Sequence, residues 1–146
     1  MKLRLVTPER VLLEEEIKSA TIPTEAGEIT VLPNHVTIVS NLTPGVVEVT
    51  YISGSVEDVA VSSGFVQVSD QGDVVILTET AETGEELDLN VIEEAKAKAE
   101  AVMKEKANTN DESFAHAAAM LEREIARYKA VNRYKQRKGI RTSSRH

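Results

Sequence analysis

Val74-Val75-Ile76-Leu77-Thr78-Glu79-Thr80-Ala81-Glu82-Thr83-Gly84-Glu85-Glu86-Leu87-Asp88 is where this chain changes its pattern. Upstream lie short β-branched runs at intervals of about ten residues: 2–6, 11–22, 29–32, 36–39, 46–52, 56–61, 65–68 and 74–77. Residues 11–22 read as two short stretches around Glu14-Glu15-Glu16, closed by Pro23. Turn residues bound the runs: Pro8, Ala26-Gly27, Pro33-Asn34, Pro44-Gly45, Ser53-Gly54-Ser55, Gly64 and Gly72. Glycine supplies positive φ, and proline fixes φ while removing a ladder donor. No helical period occurs before about residue 86. This is the signature of an antiparallel sandwich or barrel.

Downstream, Asp88 can N-cap a helix whose stripe is Ile92, Ala95, Ala99 and Val102. Residues 108–111 break the period. A second helix starts at Asp111 or Ser113, with Phe114, Ala118, Leu121, Ile125 and Tyr128 as its stripe. Two helices joined by about four residues form an antiparallel hairpin. Alanine dominates both stripes, and each buried methyl adds only about 0.8 kcal/mol. The hairpin should therefore be weakly held, as a movable element requires. Gly139 reads as a helix stop, with a disordered basic tail beyond it. The expected class is α+β: a β-sandwich over 1–86, a helical hairpin over 87–138 and a tail over 139–146.

The chain has 146 residues, 41% hydrophobic but only 3% aromatic, so its core must be built from Val, Ile, Leu and Ala. It contains no Cys, which excludes disulfides and thiolate metal sites. His35, His116 and His146 show no ligand spacing, and no metal site is expected. No segment is long and apolar enough to span a bilayer. Nine basic residues against Glu124 give residues 123–146 a charge of +8; the total of −7 then leaves −15 for the rest. Such an end suits an acidic partner, or simply complements a helix dipole. It lacks interleaved aromatics apart from Tyr128 and Tyr134, which argues against nucleic acid. No phosphate loop, dinucleotide fingerprint or nucleophile elbow occurs, and no catalytic residue is assigned.

Three blocks resemble the epsilon subunit of rotary ATP synthases. Gly27-Glu28-Ile29-Thr30-Val31-Leu32-Pro33-Asn34-His35, followed by Leu42-Thr43-Pro44-Gly45, is similar to the family's Gly-Glu-x-x-x-Leu-Pro-Gly-His loop and its sequel. Ser63-Gly64-Phe65-Val66-Gln67-Val68 through Glu82 resembles the last sandwich strands, and Leu87-Asp88 with the two Ala-rich helices resembles the carboxy-terminal hairpin. The resemblance covers residues 1 to 138. It implies a ten-stranded sandwich and a noncatalytic rotor subunit at the cytoplasmic face of a bacterial membrane. That subunit joins the central shaft (gamma) to the membrane ring (c subunits) of a proton-driven enzyme, without itself entering the bilayer. It also implies a hairpin that either folds against the sandwich or extends among the catalytic alpha/beta subunits, where it blocks ATP hydrolysis. By motif position, Glu28 on an exposed loop is the candidate ring contact and His35 the shaft-facing residue.

The family's nucleotide motif, Ile/Leu-Asp-x-x-Arg-Ala, reads here Leu87-Asp88-Leu89-Asn90-Val91-Ile92. Val91 stands in place of the arginine, so no cofactor is expected; Arg123 and Arg127 are the residues left to contribute to any weak ATP contact. With Leu121 at zero and about 100° per residue, Ile125 and Tyr128 stay beside it, while Arg123 and Arg127 fall roughly opposite, with Arg137 beside them. The expectation is that the apolar stripe packs on the shaft or the sandwich. The basic row, with Arg133, then points at an acidic surface elsewhere. The rival readings are a free-standing nucleotide sensor and a module binding nucleic acid or an acidic protein. Because the pattern breaks sharply near Gly84, residues 1–86 alone should give a soluble β-domain with one cooperative thermal transition. Aggregation of that fragment would refute the division.

Overall fold

The computed structural model describes residues 1–34, 37–87, 89–105 and 112–143, with the side chains of 89, 113 and 138–143 excepted. His35 and Asp88 lie outside the described residues, as does the expected break at 108–111. Nine strands precede two helices: β1 (Lys2–Val6), β2 (Val11–Thr24), β3 (Gly27–Val31), β4 (Ile38–Leu42), β5 (Gly45–Tyr51), β6 (Val56–Val61), β7 (Gly64–Val68), β8 (Val74–Thr78), β9 (Ala81–Thr83), α1 (Leu89–Glu105) and α2 (Glu112–Ser143). This is the expected β-sandwich followed by a helical pair, with nine strands among the described residues.

The strands follow the order β1-β8-β7-β4-β2-β5-β6-β9, with β3 on β2 and β1 also on β2. Every pairing is antiparallel except β1–β8. β2 ties the layers together. Its start pairs with β1, its middle with β5 and its end with β3 and β4. The expected break at Glu14-Glu15-Glu16 is absent, because these acids ladder against a basic strand. Arg4 lies opposite Glu14, its Nε 2.9 Å from the carboxylate, and the N-terminal ammonium reaches Glu16 at 3.1 Å. Pro23 does not close the strand either. Its carbonyl accepts from the Thr43 N–H at 3.1 Å, on the side where the single bridge Thr24–Leu42 joins β2 to β4, so the missing proline donor costs little there. A register shift between Ile17 and Ser19 lets Ile17 and Ala20, three apart, both face inward.

The core is aliphatic: Leu3, Leu5, Ile17, Ile22, Val31, Val47, Val49, Val59, Val61, Val66, Val68, Val74 and Ile76 are all buried. Alternation on β1, β7 and β8 marks strands with one wet face. β5 and β6 depart from it. Val46 and Val47 are both buried, as is every residue from Asp58 to Val61. These strands are covered on both faces, and the outer cover is α2.

Asn34 takes φ +67°, the left-handed conformation expected of the Pro33-Asn34 turn. Glu28 lies within β3, opposite Pro23, not on a loop; it is exposed all the same. α2 continues through Gly139 to Ser143. A lone glycine lowers helix propensity by only about 1 kcal/mol against Ala, too little to act as a stop between good helix formers. Gly64 has a different role. A Cβ on it would stand 1.9 Å from the Leu77 carbonyl oxygen and 2.8 Å from Thr78 Cα. Gly64→Ala should therefore destabilise the chain by about 3 kcal/mol, read as a lowered midpoint in urea unfolding.

Candidate functional site

The outer face of β5, β6 and β9 is built by register. Val46 lies opposite Ala60, and Ala60 opposite Glu82; two pairs further along, on the same face, Glu48 lies opposite Asp58. The face thus has an apolar centre, Val46 and Ala60, and three carboxylates around it. Like charges directly across a ladder destabilise it, and Asp58 is 3% exposed. The arrangement needs cations brought from outside the sheet.

α2 brings them. Ala126, Ala130, Arg133 and Arg137 recur at spacings of four, three and four, one helical face. Ala126 and Ala130 are buried against Val46 and Ala60, with Leu87 packed beside them. Arg137 grips Asp58 with two donors, Nε at 2.7 Å and Nη2 at 3.1 Å, and Nη2 also reaches Glu48 at 3.2 Å. Arg133 Nη1 lies 3.7 Å from Asp58 and 3.9 Å from Glu48. The Asp58 hydrogen bonds raise the Arg137 pKa, ahead of the opposing effect of burial and the added attraction of both carboxylates. At the other end of the alanine contact, Arg127 bonds Glu82 through Nε at 2.7 Å and Glu124 through Nη1 at 2.8 Å. Glu124 is 1% exposed; its Oε1 and the Arg123 Nε have no hydrogen-bond partner among the described residues.

The second face of α2 meets α1. Ala117, Leu121, Glu124, Tyr128 and Val131, again four and three apart, are buried or half-buried. They oppose Ile92, Ala99 and Met103 of α1, whose Lys96 ammonium sits 4.7 Å from the Tyr128 ring centroid. The expected stripes are therefore partly displaced: Ile125 is 41% exposed and Val102 is also exposed. The larger correction concerns the basic row. Arg127, Arg133 and Arg137 do not point away from the sandwich in this structure but are held by its carboxylates. Arg123 lies beside Glu124, Nε to carboxylate 3.5 Å. Apolar period alone does not mark this face, because half of it is arginine.

The linker is fixed at two points. Gly84 donates to the Asp58 carbonyl at 3.2 Å. Glu86 accepts from the Thr83 N–H, the Thr83 hydroxyl and Arg10 Nη2 at 3.2, 3.0 and 2.7 Å. Burial alone would raise the Glu86 pKa, but Arg10 and Thr83 outweigh it and hold the carboxyl below its ordinary value. Among the described residues no group of three or more His, Cys, Asp or Glu could hold a metal ion, and no helix is long and apolar enough to cross a membrane.

The family described as ATP synthase, Delta/Epsilon chain, beta-sandwich domain matches residues 1–84. The chain belongs to that family. Among relatives of this epsilon-family chain, the ATP synthase epsilon chain of Moorella thermoacetica is 39% identical over 132 residues, covering 90% of this chain and 96% of that one. The epsilon chain of Desulfitobacterium hafniense strain Y51 is 46% identical over 98 residues, 67% of this chain and 73% of that one. A chain in the OSCP/F1/c-ring structure of the Euglena gracilis mitochondrial ATP synthase superposes with a TM-score of 0.76 at 32% identity, covering 88% of this chain and 79% of that one. A chain of the Tetrahymena thermophila mitochondrial enzyme shares the fold at 16% identity, TM-score 0.56.

A Cβ on Gly84 would meet Tyr134 Cβ at 2.6 Å and the Ala130 carbonyl oxygen at 2.8 Å. Gly84→Ala should push α2 off the sheet at a cost of about 1–3 kcal/mol. Nuclear magnetic resonance should show shift changes concentrated on the outer faces of β5 and β6, with the inner core unmoved; changes spread evenly through the core would contradict this.

Proposed function

We propose that this chain is a noncatalytic rotor subunit of a proton-driven F-type ATP synthase, peripheral at the cytoplasmic face of a bacterial membrane, and that its helical pair restrains ATP hydrolysis. One observation carries the reading. α2 is seated on the sandwich by few apolar atoms, Val46, Ala60, Ala126 and Ala130, and by arginines that an acidic partner can compete for. The sandwich is the assembly part, joined to the central shaft and the membrane ring. Glu28, exposed on β3, is the proposed ring contact. His35 is proposed on the shaft side from its motif position. Arg123, Arg127 and Arg133 are the proposed contacts of the released helices with the catalytic hexamer. The similarity to a chain of an F1/c-ring assembly supports these partners.

No bound nucleotide belongs to this reading. Val91, where the nucleotide motif carries arginine, is 60% exposed and apolar, and Arg127 is already engaged by Glu82 and Glu124. The test is the ATPase rate of complexes reconstituted with the full chain, with residues 1–86, or with Arg123, Arg127 and Arg133 all replaced by Ala, at low and high salt. Hydrolysis should rise several-fold in both variants, with assembly retained and the difference narrowing as salt screens the arginines. Equal rates at every salt concentration would leave a coupling subunit without a brake.

A further inference from the structure

The contact between α2 and the sandwich is unevenly buried. Lifting α2 off the sheet would open Glu48, Asp58, Arg133 and Arg137 to water. On docking, the Asp58 side chain becomes wholly inaccessible, while those of Arg133 and Arg137 stay 35% and 38% exposed. A carboxylate taken out of water is tolerated only with cations and donors in contact. Arg137 supplies both donors; Arg133, at 3.7 Å, supplies charge without a hydrogen bond. The apolar part of the contact is too small to hold an unpaired carboxylate beneath it.

We propose that Asp58 decides whether the helical pair is docked: α2 can cover the sandwich only while Arg137 caps the Asp58 carboxylate. This rests on reading the pair as the movable element, and it names the residue that sets its resting position. The roles of the two partners are unequal. Arg137 lost leaves Asp58 buried without its two hydrogen-bond donors and with only the Arg133 charge at 3.7 Å, so docking fails. Asp58 made neutral leaves two arginines that can turn to Glu48 or to water, so docking survives. An ordinary ion pair, worth the same from either side, has no such asymmetry.

The chain has no cysteine, so one introduced thiol reports on one place. Ala60→Cys puts a thiol on the sheet face that α2 covers, and Ala20→Cys puts one in the sandwich core. The rate at which each reacts with a thiol reagent, relative to the urea-unfolded chain, measures undocking and global unfolding respectively. In the Ala60→Cys background, Arg137→Gln should accelerate labelling at least tenfold, because it takes the guanidinium fork from the buried carboxylate and leaves only the Arg133 charge at 3.7 Å. Asp58→Asn should change the rate by less than about threefold, and the double variant should stay near the Asp58→Asn rate. Arg137→Lys should fall between, keeping the charge and losing the planar fork. In the Ala20→Cys background, Arg137→Gln should leave the rate unchanged.

The proposal is overturned if Arg137→Gln does not accelerate Ala60→Cys labelling, or if Asp58→Asn accelerates it as much. It is also overturned if Ala20→Cys labelling accelerates in step, since the pair would then hold the whole fold. Arg137 lies on α2, so its variants leave the sandwich sequence intact even where Asp58→Asn impairs folding. The isolated chain is used throughout. Failure here leaves an inhibitory hairpin possible by other contacts, and absence of inhibition in the complex leaves this result standing.

Discussion

Two carboxylates on adjacent strands, Glu48 and Asp58, face each other on the outside of the sandwich, and the helical half of the molecule is organised by their need for positive charge. A sheet face with that pair exposed to water would be tolerable. Covered by alanines alone, it would not. Arg133 and Arg137 make the cover possible, and their position seven and eleven residues after Ala126 fixes the register in which α2 lies across β5 and β6. Gly84 then fixes the approach distance, because its missing side chain is the space taken by Tyr134 and the Ala130 carbonyl. Close packing, charge and linker thus specify one docked geometry with very little hydrophobic surface.

The same economy explains the second face of α2. A helix that meets a sheet on one side and another helix on the other needs two stripes, here 126, 130, 133 and 137 against 117, 121, 124, 128 and 131. Where the stripes adjoin, Glu124 is buried and Arg123 half-buried, and Glu124 Oε1 and Arg123 Nε have no hydrogen-bond partner among the described residues. Partly satisfied polar networks in low dielectric are costly, so the junction of sheet and helices is the least secure part of the packing. The aliphatic core between the sandwich layers has no such defect.

Most of the strands were legible because glycine, proline and serine mark their ends in a chain rich in Val and Ile. Three consecutive acids look like a break within β2; only the pairing with Lys2 and Arg4 shows why they ladder. β9, three residues long, has no periodicity to detect. The apolar runs 46–47 and 59–61 suit strands covered on both faces, although alone they say only that strands are there. Asp58 did not announce itself: within Val56-Glu57-Asp58-Val59 an acid reads as the wet side of a strand. The docking stripe of α2 was missed for the same reason, since a search for apolar period sees Ala126 and Ala130 and stops at the arginines.

β2 couples the two layers of the sandwich mechanically. Its 14 residues span on the order of 45 Å if extended, and along that length one covalent strand is hydrogen-bonded first to one layer and then to the other. Sliding the layers past each other would have to break two ladders on the same strand in opposite senses or stretch its backbone. Sandwiches whose layers meet only through side chains and loops can shear with far less resistance. The sandwich therefore resists sliding of its layers through β2, whereas the seam beneath α2 has no strand that crosses it.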